Sequence, residues 1–71
     1  MAGTEIRKHS VRLAGHRTSV SLEDAFWAEL KRLAALDGCS LNELITEVDS
    51  MRSGNLSGAL RVYVLERLKA S

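Results

Sequence analysis

Arg17-Thr18-Ser19-Val20-Ser21-Leu22 alternates polar and apolar side chains and runs without a break into Glu23-Asp24-Ala25-Phe26-Trp27-Ala28-Glu29-Leu30-Lys31-Arg32-Leu33, whose apolar residues recur at helical spacing. The first stretch has the period of a strand, in which successive side chains point to opposite faces. Thr18, Val20 and Leu22 share one face, expected to meet a core, and Arg17, Ser19 and Ser21 share the other, expected to meet something polar. A solitary strand leaves its ladder donors and acceptors unpaired. No later segment has a strand's period, so the partner is expected to be a second copy of the chain.

Composition supports that expectation. A chain of 71 residues lies where one hydrophobic core is marginal without disulfides, metal or oligomerisation. One cysteine, Cys39, excludes an intrachain disulfide, and His9 and His16 with that cysteine have no zinc-site spacing. Oligomerisation remains, as a dimer or, with three apolar helices in so short a chain, a tetramer. The lone thiol fits a reducing compartment. The sequence shows no signal-peptide run and no apolar stretch of spanning length, so a cytoplasmic protein without a membrane partner is expected. Net charge is +1 overall but unevenly spread: residues 1 to 20 carry Arg7, Lys8, Arg12 and Arg17 against Glu5 alone, while the rest of the chain is net acidic. Positive charge gathers around the strand.

Residues 1 to 8 are polar and aperiodic, and are expected to form a flexible basic arm. From His9 to Leu13 the alternation is weak, with Val11 and Leu13 on one side and Ser10 and Arg12 on the other, before Ala14-Gly15 interrupts it. Two readings stand for this stretch, a second short strand or an extended arm. After the strand, Phe26, Leu30, Leu33 and Ala34 form the apolar stripe of a first helix, which Gly38 ends. Ser40-Leu41-Asn42-Glu43 has capping-box spacing and opens a second helix, with Leu41, Leu44, Ile45 and Val48 on one face. Ser53-Gly54 ends it, and Asn55 or Ser53 is placed to cap a third helix, Leu56 to Lys69. That helix is apolar nearly all round, which predicts burial on more than one side.

Strand, helix, Gly-x-Ser turn and helix in this order resemble the ribbon-helix-helix DNA-binding proteins, the class of the Arc and methionine repressors. The resemblance is carried by Arg17 to Leu22, by Phe26, Leu30 and Leu33, and by Gly38-Cys39-Ser40-Leu41-Asn42-Glu43-Leu44-Ile45. Gly15-His16-Arg17-Thr18-Ser19 and Asn55-Leu56-Ser57-Gly58-Ala59-Leu60-Arg61-Val62 are similar to phrases of a compact, uncharacterised bacterial subgroup with an added C-terminal helix. The resemblance implies a mainly α fold with one short N-terminal strand per chain. It implies an intertwined homodimer whose two strands form an antiparallel intersubunit ribbon, with the core at residues 9–53 and the added helix at 54–71. It further implies a transcriptional regulator or repressor whose partner is double-stranded DNA. The ribbon enters the major groove, where Arg17, Ser19 and Ser21 face base edges. Arg17 can pair bidentately with guanine, and each serine hydroxyl can donate or accept. The amino end of the second helix, through Ser40, Leu41 and Asn42, is implied to bind phosphate, although the Glu43 carboxylate competes there. Arg12 and His16 are further candidates for phosphate contact.

Other chemistry finds little support. Glu43, Glu47 and Asp49 have no nucleophile or base at a productive spacing, so no catalytic residue is assigned and no enzyme is expected. No cofactor and no metal site are assigned. Cys39 lies just before a helix start, a position that favours thiolate, but a single thiol in a turn is ordinarily structural. Trp27 cannot share the face of Phe26 and is expected at the core edge or on another subunit. A different class of function also fits the pattern: an oligomerisation or protein-binding module, antitoxin-like, whose partner docks on the third helix around Leu56, Leu60, Tyr63 and Val64.

Overall fold

The computed structural model describes residues 2–70. A 3-10 turn at Ala2–Thr4 precedes β1 (Ile6–Leu13), β2 (His16–Glu23), α1 (Asp24–Asp37), α2 (Leu41–Met51) and α3 (Leu56–Ala70). β1 and β2 form one antiparallel two-stranded sheet in which Arg12 faces Arg17, Ser10 faces Ser19 and Lys8 faces Ser21. The connection is the two-residue turn Ala14-Gly15, with φ of 51° and 81°. Positive φ at both positions gives the tight hairpin turn whose twist matches that of the flanking strands.

The strand at residues 17–22 thus finds its partner within its own chain, so there are two strands per chain rather than one. The pairing was obscured by the turn, which lacks the Asn-Gly or Asp-Gly that marks such hairpins and instead holds an alanine in the left-handed region. Of the two readings of residues 9–13, the second strand is the one observed, and it extends back to Ile6. Residues 6 to 8, expected in a flexible arm, are therefore paired with β2. Gly3 in the 3-10 turn approaches α1 so closely that an added Cβ would lie 3.2 Å from that of Ala25. Met1 lies outside the described residues.

All three helices pack on one face of the hairpin. The core comprises Val11 and Leu13 of β1, Val20 and Leu22 of β2, Leu30, Leu33 and Ala34 of α1, Leu44, Ile45 and Val48 of α2, and Leu60 and Val64 of α3. Thr18, expected beside Val20 and Leu22 in this core, is exposed. The helices cover β1 as far as its end at Leu13, but they cover β2 only from Val20 onward.

Local signals end and start the helices as their chemistry predicts. Gly38 closes α1 at a φ of 72°, and the Cys39 amide donates to the Ala34 carbonyl at 3.0 Å. In the capping box of α2 the Glu43 amide donates to Ser40 Oγ at 3.0 Å and the Ser40 amide to Glu43 Oε1 at 2.8 Å. Asn55 caps α3, its Oδ1 accepting from the Gly58 amide at 2.6 Å. Arg61 reaches Glu23 at 3.0 Å and Arg67 reaches Asp37 at 2.9 Å, tying α3 to both ends of α1. Burial of α3 is one-sided: Val62, Leu65 and Leu68 are about half exposed, at 54%, 54% and 49%. The second buried side expected of this helix is not covered by the described residues.

Candidate nucleic-acid interface

The hairpin has one face on the core and one in solvent. Residues directly opposite each other across an antiparallel pair project to the same side. The solvent face therefore carries Lys8, Ser10 and Arg12 from β1 together with Arg17, Ser19 and Ser21 from β2, all exposed. The expected base-contacting residues thus share one surface, joined by three residues of a strand only weakly apparent in the alternation.

Backbone direction follows from one side chain. Asn42, in the first turn of α2, accepts from the Arg12 amide at 3.0 Å and donates to the Arg12 carbonyl at 2.7 Å. Both backbone groups of Arg12 thus point away from β2, making Arg12 and Arg17 a non-hydrogen-bonded pair, the closer of the two kinds, with Cα atoms about 4.5 Å apart. By the same alternation, the amides and carbonyls of Arg17, Ser19 and Ser21 point outward from the other edge. Among the described residues nothing bonds to them there. The β1 edge is closed at Arg12 by Asn42; the β2 edge is open.

The cations of the solvent face, Lys8, Arg12 and Arg17, meet no carboxylate among the described residues. Among the described residues Arg7, Arg32, Arg52, Arg61 and Arg67 each meet a carboxylate within 4.0 Å, while Arg12 and Arg17 have none. Like charges directly opposite on a sheet repel. Lys8, on the same face, also lacks an ion pair among the described residues. Arg7, by contrast, projects to the other face and is held by Asp24 at 3.0 Å.

The amino end of α2 is already partly occupied. Hydrogen bonding from the Ser40 backbone holds the Glu43 carboxyl below its ordinary pKa, so an anion sits at this end. Ser40 Oγ and the Asn42 side chain are likewise committed to internal bonds. What remains for a ligand is the pair of first-turn amides of Leu41 and Asn42, which an α-helix cannot satisfy internally. His16 is exposed beside the turn, on the side of the hairpin opposite Arg17.

The remaining candidates fall outside this surface. His9 stacks on Trp27 with ring centroids 3.7 Å apart, and its Nε2 is buried without a hydrogen-bond partner. Trp27 thus covers the core edge. Burial raises the pKa of the Cys39 thiol, reinforced by the charges of Asp37, Glu43 and Glu47, the reverse of what its position before α2 suggests. Among the described residues no group of three or more His, Cys, Asp or Glu side chains could hold a metal. Nor is any helix among them long and apolar enough to cross a membrane.

A two-stranded antiparallel ribbon followed by helices, with a basic and hydroxyl-bearing outer face, defines a ribbon-helix-helix protein. The chain belongs to that family: the ribbon-helix-helix domain matches residues 6–68, and the family is generally one of DNA-binding transcription regulators, a fold without enzymatic activity. Among solved structures it is similar to an uncharacterized protein from Bordetella pertussis Tohama I, at 32% identity and a TM-score of 0.80 over 97% of this chain. The chain spans 62% of the length of that protein. No curated protein matches it.

Proposed function

We propose that this chain is a sequence-specific DNA-binding repressor, acting as a homodimer that reads the major groove with the solvent face of its ribbon. The observation that carries the reading is the unpaired Arg12–Arg17 juxtaposition on a face of exposed hydroxyls, in a chain that neutralises its other arginines. Repulsion of that kind is relieved by a polyanion. The open edge of β2 supports the dimer: pairing it with the same edge of a second copy would satisfy the outward groups of Arg17, Ser19 and Ser21 and create an intersubunit ribbon. Arg17 then carries most of the discrimination, about 1–3 kcal/mol per bidentate guanine contact.

Selection from a mixed duplex pool by wild type and Arg17→Ala tests this. A palindromic motif recovered by the wild type and lost in the variant is the expected result. Binding without a motif, indifferent to Arg17, would overturn it.

A protein-binding reading draws support from the groove of about 520 Å³ between α2 and α3, which Met51, Val62 and Tyr63 help to line. Its surface differs from that expected, because Leu60 and Val64 are core residues. The exposed residues are Val62, Leu65 and Leu68, and Val62→Ser with Leu65→Ser would abolish partner capture while sparing DNA binding.

A further inference from the structure

We infer that β1 is a phosphate-gripping strand: in the complex it lies over the rim of the groove, with Lys8 and Arg12 on the DNA backbone, while β2 reads the bases. The inference rests on the groove-reading role of β2 proposed above and adds a second working element to it.

Width is the first argument. Dimer formation at the β2 edge gives the strand order β1, β2, β2 of the partner, β1 of the partner. Neighbouring strands lie about 4.8 Å apart, so the outer backbones are about 14 Å apart before their side chains are added. The major groove is about 12 Å wide and admits two strands. The central pair can descend into it, and the outer strands are left above the sugar-phosphate walls.

Chemistry is the second. The outward residues of β1 are Ile6, Lys8, Ser10 and Arg12; the last three set two cations about a hydroxyl, with no carboxylate on either cation among the described residues. These groups suit phosphate oxygens and need no particular base. Placement is the third: Asn42 fixes the Arg12 backbone against the first turn of α2. The Arg12 backbone is thereby anchored beside the first turn of α2, at the outer edge of the sheet where the phosphate wall would run.

The test is the salt dependence of binding to a mixed-sequence duplex by the full chain, its Lys8→Ala/Arg12→Ala double variant and a Lys69→Ala control, with motif selection run in parallel. Two contacts per chain and four per dimer predict that the slope of log K against log salt becomes shallower by about 3–4 units in the double variant. It should be unchanged in the control, and the selected motif should be retained. Arg12→Lys should restore its share of the slope. Both side chains are exposed and the Arg12 backbone bonds do not involve its side chain, so the fold is expected to survive. A low-salt melt of Arg12→Ala no lower than wild type checks this, and Arg12→Gln stands in should that variant unfold. An unchanged slope overturns the inference. A changed motif also overturns it, because β1 would then be reading bases and the hairpin of a single chain would be the groove-filling ribbon. Absence of DNA binding by the wild type removes the groove-reading proposal and this inference together. Wild-type binding with an Arg17-dependent motif and an unaltered slope removes this inference alone.

Discussion

Ala14 holds a φ of 51° in the hairpin turn, a region where an L side chain crowds the following carbonyl at a cost of about 1–2 kcal/mol. Asparagine tolerates that conformation far better and is the residue such turns prefer. Ala14→Asn is therefore expected to stabilise the chain by about 1 kcal/mol, raising the melting temperature by about 4–8 °C in a domain of this size. A thermal melt monitored by circular dichroism checks it, and a lower melting temperature would refute the strain. This residue also explains what the sequence concealed. Lys8, Ser10 and Arg12 alternate with His9, Val11 and Leu13, but an alanine in the first turn position is a poor hairpin signal, so the strand before it is only weakly legible. At Cys39 the local position suggested a lowered thiol pKa. Burial outweighed it, and burial depends on packing that no local pattern displays.

At the scale of elements, helices were legible because their signals are local. The capping box Ser40/Glu43, the left-handed glycine at 38 and the Asn55 cap are each written within a few residues, and all three are formed. The junction between β1 and α2 was not legible. The Asn42 side chain bonds both backbone groups of Arg12 across 30 positions of sequence, acting as a one-residue substitute for a neighbouring strand. The family resemblance implies a phosphate contact here, and the first turn of a helix is where such ligands occur; the side chain is committed to Arg12, and the backbone amide is what remains for that contact. The structural role of the side chain predicts that Asn42→Ala costs about 1 kcal/mol, the net worth of exposed hydrogen bonds of this kind. Hydrogen exchange separates that effect from general loosening. The Arg12 amide should lose protection, while the amides of Val11 and Leu13, which face β2, keep theirs. Uniform loss along β1 would mean that Asn42 supports the hairpin as a whole.

At the scale of the molecule, one chain buries a complete small core and yet leaves two surfaces unfinished: the open β2 edge and the apolar side of α3 at Val62, Leu65 and Leu68. Either could carry a dimer, and a proline distinguishes them. At Ser19 the backbone N–H points away from β1, so proline there removes an outward donor and spares the ladder inside the hairpin; edge positions with a solvent-facing N–H are where strands tolerate proline. A dimer joined through β2 would lose central hydrogen bonds and suffer a ring at the seam. Ser19→Pro is therefore expected to sediment as a monomer at concentrations where the wild type is a dimer, with its far-ultraviolet dichroism preserved. Val62→Ser with Leu65→Ser is expected to leave the dimer intact. The reverse pattern, a dimeric proline variant and a monomeric α3 variant, would move the interface to the third helix. The two ribbons would then act as separate hairpins, each of a width the groove can admit by itself.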